Sequence, residues 1–141
     1  MQITQLDAQT YVGPQISIAN LNDLKRLNVK TVVVARPEGE TADQTAISDV
    51  RDAAYALGIT VHQIPIVPEN IADADVRAFR AIASEADHPV FVYCRSGMRA
   101  TSLWALSAAE QGQSPDEILR IAKTAGFDLN PLLTRLSINA A

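Results

Sequence analysis

Two short apolar runs limit what this chain can fold into. Thr31–Ala35 is almost entirely β-branched, and Val90–Tyr93 contains two valines and two aromatic residues. Continuous apolar runs of this length are typical of strands buried on both faces of a parallel sheet, whereas strands with one wet face alternate with polar residues. Parallel neighbours need a crossover connection, which is usually a helix. The two runs therefore predict an α/β fold, provided that helical segments separate the strands.

Segments with apolar residues at helical spacing do lie between the predicted strands. Asn20, Asp73 and Ser114 are candidate N-caps, and Gly58 is a candidate C-terminal stop. The spacing predicts helices over residues 21–27, 46–57, 76–83, 99–111 and 115–126, a last short helix from 130, and strands at 59–66 and in short pieces within 2–18. This alternation predicts a three-layer α/β domain, with a central, mostly parallel sheet of about four to five strands flanked by helices.

The size and charge of the chain narrow the classes of function. With 141 residues, the chain is expected to form one domain over 1–141. Its net charge of −4 comes without a basic block, which argues against nucleic acid and anionic membranes as partners. No apolar run is long enough to span a bilayer, the N-terminus lacks a secretory pattern, and one cysteine with two histidines fits no standard metal site. We therefore expect a cytoplasmic protein without a metal or a cofactor.

The single cysteine stands where a predicted strand meets a predicted helix. Cys94 follows the second apolar run, and four residues separate it from Arg99 at the start of the next helix. A thiolate is the nucleophilic form of cysteine, and cations and a helix N-terminus both favour it. The alternative is that Cys94 is a small buried hydrophobe that ends a strand. The surroundings favour a nucleophile, so Cys94 and Arg99 are the predicted catalytic residues. The predicted anion-binding loop between them is Arg95, Ser96, Gly97 and Met98.

The cysteine loop resembles the active-site loops of two enzyme families. Cys94–Arg99 is similar to the loop of rhodanese-type sulfurtransferases, in which four residues follow the cysteine before a cation or a hydroxyl residue. It also resembles the loop of protein tyrosine phosphatases, which have five residues between cysteine and arginine. Those phosphatases usually carry His before the cysteine and Ser or Thr directly after the arginine. This chain has Tyr93 and Ala100 at these positions, with Thr101 one residue later.

Nearly the whole chain resembles a third group, the bacterial beta-lactamase-hydrolase-like phosphatase-like domain family. The resemblance rests on four segments: Ile18–Leu24, Ala35–Glu40, Ile64–Ile66 and the cysteine loop. It implies a tyrosine-phosphatase-like fold. Some members are fused to persulfide dioxygenases or sulfide-oxidising enzymes, which implies a partner of that kind, whereas others have been treated as phosphatases.

The loop spacing predicts sulfur chemistry, because a shorter ring of N–H donors suits a terminal sulfur better than a phosphoryl group. We expect a sulfurtransferase in which Cys94 takes sulfane sulfur from thiosulfate or a low-molecular-weight persulfide and holds it as a cysteine persulfide. One alternative is a phosphatase acting on a phosphate ester through a Cys94 phosphocysteine. Another is a partner domain that binds an oxyanion or a persulfide without turnover. All three need a small anionic ligand.

Three further residues are candidates for accessory roles. Arg36 either adds a cation to the site or pairs with Glu38 or Glu40 to hold its turn. A phosphatase would need a general acid, and Glu69 in the 67–75 segment could supply it. Asp73 and Asp75 are better explained as acids in the first turn of the next helix. Thr101 could reach the thiolate from the first turn of the helix after the loop.

Overall fold

The sheet has five strands, and four of them run parallel. The computed structural model describes residues 2–68 and 70–140, with side chains as far as Ile138. The strands are β1 (Thr4–Asp7), β2 (Thr10–Gly13), β3 (Thr31–Val34), β4 (Thr60–Gln63) and β5 (Val90–Tyr93). Their order is β1-β2-β5-β3-β4, and only β1, at one edge, runs antiparallel to its neighbour. The predicted central, mostly parallel sheet is confirmed.

Helices cover both faces of the sheet. They are α1 (Leu21–Arg26), α2 (Ile47–Ala56), α3 (Asp73–Glu85), α4 (Met98–Glu110), α5 (Pro115–Thr124) and α6 (Leu133–Ala140). Successive residues of β5 point to opposite faces, so Phe91 and Tyr93 pack with α1 and α2, whereas Val92 packs with the other four helices. Every residue of β5 is buried, which is why its sequence is apolar without alternation. None of the helices in the described ranges is long and apolar enough to cross a membrane.

The carboxyl ends of the parallel strands meet at one edge of the sheet. Gly13, Tyr93, Val34 and Gln63 lie side by side in register at that edge. The loops that follow β2, β3, β4 and β5 leave the sheet at this edge, which is where ligands bind in parallel sheets of this kind.

Of the three predicted helix caps, two lie at the predicted position and one does not. Asn20 is at the N-cap of α1, but its side chain makes no capping bond to α1. A short 3₁₀ turn over Ile18–Asn20 precedes that helix, and the Asn20 side chain accepts a hydrogen bond from the Ser17 N–H (2.8 Å). Asp73 is the first residue of α3 and follows the true N-cap, Ala72. Ser114 does cap α5, accepting a hydrogen bond from the Glu117 N–H (3.2 Å).

The strand predicted at 59–66 is shorter than expected, ending at Gln63. Pro65 has no N–H to donate to a ladder, so regular pairing cannot continue through it. The Ile64 N–H still donates to the Val34 carbonyl (2.9 Å), after which the chain leaves the sheet as a loop. This early exit places the Ile66 carbonyl over the carboxyl edge, where it becomes part of the site.

Candidate active site

The cysteine loop is fixed to the segment that follows β2. The Cys94 N–H donates to the Gly13 carbonyl (3.4 Å), and the Arg95 carbonyl accepts from the Gln15 N–H (3.2 Å). Cys94 is buried in the core layer on the α4 face, whereas Tyr93 packs in the layer on the other face. The two backbone hydrogen bonds position Cys94, the predicted nucleophile, at the base of the loop.

Gly97 turns the chain so that its N–H points at the sulfur. The Gly97 N–H lies 3.1 Å from Cys94 Sγ, and the residue has a φ of +99°, which L side chains rarely adopt. A Cβ at this position would lie 2.8 Å from Cζ of Phe127. Gly97 is also the N-cap of α4, so the positive end of a 13-residue helix begins at the loop. The sulfur therefore lies beside an N–H donor and the N-terminal end of a helix.

Arg99 uses one edge of its guanidinium to hold its own position. Nη1 and Nη2 donate to Oε2 and Oε1 of Glu40 (2.9 and 2.7 Å), and Nη1 also donates to the Ile66 carbonyl (2.7 Å). A guanidinium has five N–H groups, and these contacts use three of them. The two that remain, on Nε and Nη2, form one planar edge, which has no oxygen partner among the described residues. Such an edge can bind two oxygens of a phosphate or sulfonate.

Glu40 links Arg99 to a second, fully buried arginine. Arg36 donates from Nε to Glu40 Oε1 (2.9 Å), from Nη1 to Gln15 Oε1 (2.8 Å) and from Nη2 to Thr41 Oγ1 (3.0 Å). The hydrogen bond from Arg99, with that from Arg36, holds the pKa of Glu40 below its ordinary value of 4.5. Of the two roles considered for Arg36, the structure places it in the turn, paired with Glu40.

Glu40 in turn raises the pKa of Arg99. Burial alone would lower the pKa of Arg99, but the hydrogen bond to Glu40 and the charge of Cys94 outweigh it and leave the pKa above its ordinary value. Arg99 is therefore a permanent cation although only about a tenth of its side chain is exposed. A buried cation with one free edge is suited to hold an anion above Cys94.

Several other predicted residues take positions that differ from their expected roles. Thr101 was a candidate to reach the thiolate, but its hydroxyl donates to the Gly97 carbonyl (2.8 Å) and so supports the loop backbone. Ser96 Oγ accepts from the Met98 N–H (3.4 Å), on the exposed side of the loop. Arg95 is exposed at the mouth of the site. Glu69 lies outside the described residues.

The aspartates of the 67–75 segment serve the helix that follows, as expected. Asp75 accepts a hydrogen bond from the Ala72 N–H (2.9 Å) at the start of α3, and Asp73 accepts one from Arg135 (3.0 Å). Both carboxylates therefore have structural partners.

Sequence reasoning missed the direct partner of Arg99. Glu40 was considered only in the context of its own turn, 59 residues away from Arg99 in the chain. The sequence does show a charged turn after each of the strands β3 and β5. These strands are adjacent in the sheet, and this adjacency brings the carboxylate of the first turn beside the cation of the second.

A family profile and the sequences of known proteins place this chain in the same family. The sequence profile of the family described as "Beta-lactamase hydrolase-like protein, phosphatase-like domain" matches residues 3–111. A beta-lactamase hydrolase-like protein from Agrobacterium fabrum is 34% identical over 130 residues, which are 92% of this chain and 30% of the relative. The chain spans about a third of the length of the curated relatives that it matches.

Solved structures agree with the observed fold. The crystal structure of a candidate phosphatase from Neisseria meningitidis is 33% identical, covers 99% of both chains and has a TM-score of 0.89. The core catalytic domain of a PP-IP phosphatase from S. cerevisiae, solved with citrate, is 17% identical, covers 96% of this chain and 83% of the other, and has a TM-score of 0.76. At that identity the likeness shows the fold alone, and the expected tyrosine-phosphatase-like architecture is confirmed.

Proposed function

This chain belongs to the phosphatase-like domain family of the beta-lactamase hydrolase-like proteins, and from that premise we propose that it is a cysteine-dependent phosphatase. Its substrate is a phosphate monoester, and its covalent intermediate is a phosphocysteine on Cys94. The observation that carries the proposal is this family relation. The Nε/Nη2 edge of Arg99, held beside the cysteine loop by Glu40 and the Ile66 carbonyl, supplies a site for the phosphoryl oxygens.

The reaction needs two displacements at phosphorus. In the first, the Cys94 thiolate attacks the phosphoryl group, a P–S bond forms, and the P–O bond to the organic group breaks. In the second, water attacks the phosphocysteine and its proton is lost, the P–S bond breaks, and inorganic phosphate leaves with the thiolate regenerated. Arg99 and the loop N–H groups stabilise the phosphoryl oxygens throughout, where their charge is spread in the transition state.

An aryl ester is the simplest substrate for this site. The leaving oxygen of an alkyl ester must take a proton as the P–O bond breaks, whereas a phenolate leaves without one. The aspartates that follow the β4 loop are occupied, since Asp75 accepts from the start of α3 and Asp73 from Arg135. An aryl phosphate can therefore be hydrolysed at this site without a general acid.

The sulfurtransferase predicted from the four-residue spacing has no support among the relatives, which point to phosphatases. The geometry of Arg99 alone does not separate the two reactions, because its free edge would also bind the sulfonate oxygens of thiosulfate. The family relation is what favours phosphorus.

Hydrolysis of para-nitrophenyl phosphate tests the proposal. We expect kcat/KM to fall about 10³-fold or more in Cys94→Ser and about 10²–10³-fold in Arg99→Lys, because a lysine cannot present two parallel N–H groups. Arg51→Lys, an exposed change on α2, is the control and should leave the rate unchanged. Hydrolysis that persists in Cys94→Ser at the wild-type rate would contradict the proposal.

A further inference from the structure

A cleft of about 440 Å³ opens beside the cysteine loop. It has three walls: the loop after β4, the first turns of α4, and the segment over 128–135 that leads into α6. Pockets of this size commonly hold small organic ligands. Its apolar lining is Pro68, Ile71, Met98, Leu129, Pro131 and Leu132.

Among the described residues, most of the charged groups that line the cleft are cations. They are Arg95, Arg99 and Arg135, together with one carboxylate, that of Asp128. The whole chain has a net charge of −4, so this concentration of cations is local. The cleft therefore combines an apolar floor with cations at its side, which complements an anion that carries an apolar body.

The cleft adjoins the position that the proposed function gives to the phosphoryl group. Arg99 and Ser96 belong both to the cysteine loop and to the cleft wall. A phosphoryl group bound by the free edge of Arg99 thus has the cleft beside it. The organic group of a monoester bound there has this apolar space available to it.

The third wall is tied to the first by a specific contact. Arg135 of α6 donates from Nη1 to the Ile71 carbonyl (2.5 Å) and from Nη2 to Asp73 (3.0 Å). The segment that carries Leu129, Pro131 and Leu132 lies beyond residues 3–111, which the family profile matches. One wall of the cleft is thus contributed by a part of this chain that the family description does not include.

We propose that this cleft is the binding site for the organic group of the substrate, and that the group is aromatic or bulky and apolar. The inference rests on the proposed phosphatase function and adds the substrate class to it. Small, polar phosphate esters would leave the apolar walls exposed to water and gain nothing from them. The segment 128–135 is thereby a determinant of specificity.

Non-hydrolysable phosphonates test the cleft separately from the chemistry. Methylphosphonate and naphthylmethylphosphonate are compared as competitive inhibitors of para-nitrophenyl phosphate hydrolysis by the wild-type protein. We expect the naphthyl compound to bind at least about tenfold more tightly, because its ring system leaves water and enters the cleft. Leu132→Gln should remove most of that preference and leave methylphosphonate inhibition within about twofold of wild type.

Leu133→Gln is the matched control, since Leu133 is the next residue, is 40% exposed and does not line the cleft. It should change neither inhibition constant. Unchanged methylphosphonate inhibition in Leu132→Gln also shows that the variant is folded. If the protein hydrolyses para-nitrophenyl phosphate but both phosphonates inhibit it equally, the cleft does not bind the organic group. The proposed phosphatase function would then still stand. If the protein neither hydrolyses para-nitrophenyl phosphate nor binds inorganic phosphate, the proposed phosphatase function and the proposed substrate cleft are both wrong.

Discussion

Arg99 meets two requirements that usually conflict. A cation that binds a substrate anion must be partly unpaired, yet an unpaired buried charge is costly. Glu40 and the Ile66 carbonyl take three of its N–H groups, and the planar Nε/Nη2 edge remains for the ligand. Arg36 supports the same carboxylate from the other side. In this account, Glu40 positions the arginine and does not contact substrate.

Glu40→Gln should therefore weaken catalysis through Arg99. We expect kcat/KM for an aryl phosphate to fall about 10–100-fold, because the guanidinium loses the carboxylate that orients it. Stability should fall by about 1.5–3 kcal/mol, the usual range for hydrogen bonds to charged groups. The control is Glu38→Gln, which makes the same charge change in the same turn, where Glu38 accepts from the Ile47 N–H. Equal losses of activity in both variants would contradict a specific role for Glu40.

The contribution of Glu40 should also depend on pH. Its pKa is depressed in the folded protein by the hydrogen bonds from Arg99 and Arg36. Ionised Glu40 thus adds stability that is fully present above its ordinary value of 4.5 and is lost as the pH falls through the lower folded value. Urea unfolding at a series of pH values checks this: the difference between wild type and Glu40→Gln should shrink below pH 4.5. A difference that stays constant would count against the ion pairs.

The candidate site is built on the unit of β5, the cysteine loop and α4. β5 delivers Cys94 in a buried strand, Gly97 reverses the chain within three residues, and α4 starts at Met98. The conformation of Gly97 and its contact with Phe127 leave no room for a side chain. Glycine is therefore required at this position for both backbone and steric reasons.

Gly97→Ala should destabilise the protein by at least about 2 kcal/mol, the sum of left-handed backbone strain and the contact with Phe127. Gly126→Ala separates the two causes: Gly126 has a similar φ of +100°, but a Cβ there meets nothing within 4 Å. That variant should cost only about 1 kcal/mol. Denaturant unfolding measures both, and equal costs would show that the Phe127 contact is unimportant.

At the scale of the whole molecule, the fold continues past the residues matched by the family profile. α6 packs against α4, and its Leu136 is completely buried in the core layer that includes Cys94. The last helix is thus part of the hydrophobic core that supports the site.

Leu136→Ala should cost about 2–5 kcal/mol of unfolding free energy, because it leaves a cavity in that core. Ile138→Ala, two residues further along the same helix at a position that is 68% exposed, should cost less than about 0.5 kcal/mol. Urea denaturation of the two variants tests whether α6 is integral. Similar small losses in both would mean that the domain is stable without it.

Local sequence patterns predicted much of the fold but only part of the candidate site. Apolar runs predicted the central strands, and Ser114 and Gly58 predicted helix ends correctly, because these signals act within a few residues. Cys94 and Gly97 could be placed at one loop for the same reason. The pairing of Arg99 with Glu40 depends on the order of strands in the sheet, which no local pattern encodes. The length of the cysteine loop indicated sulfur, whereas the family relation favours phosphorus, because both anions present oxygens that the same arginine can bind.

The most direct test of the account is the mass of the intact protein after rapid acid quenching. The wild type is mixed with an aryl phosphate in one arm and with thiosulfate in the other, and Cys94→Ser is treated in parallel. The account predicts the added mass of one phosphoryl group, on Cys94, only in the wild-type aryl phosphate arm. A sulfur adduct on Cys94 after thiosulfate, with no phosphoryl adduct after the ester, would contradict it and establish a sulfurtransferase instead.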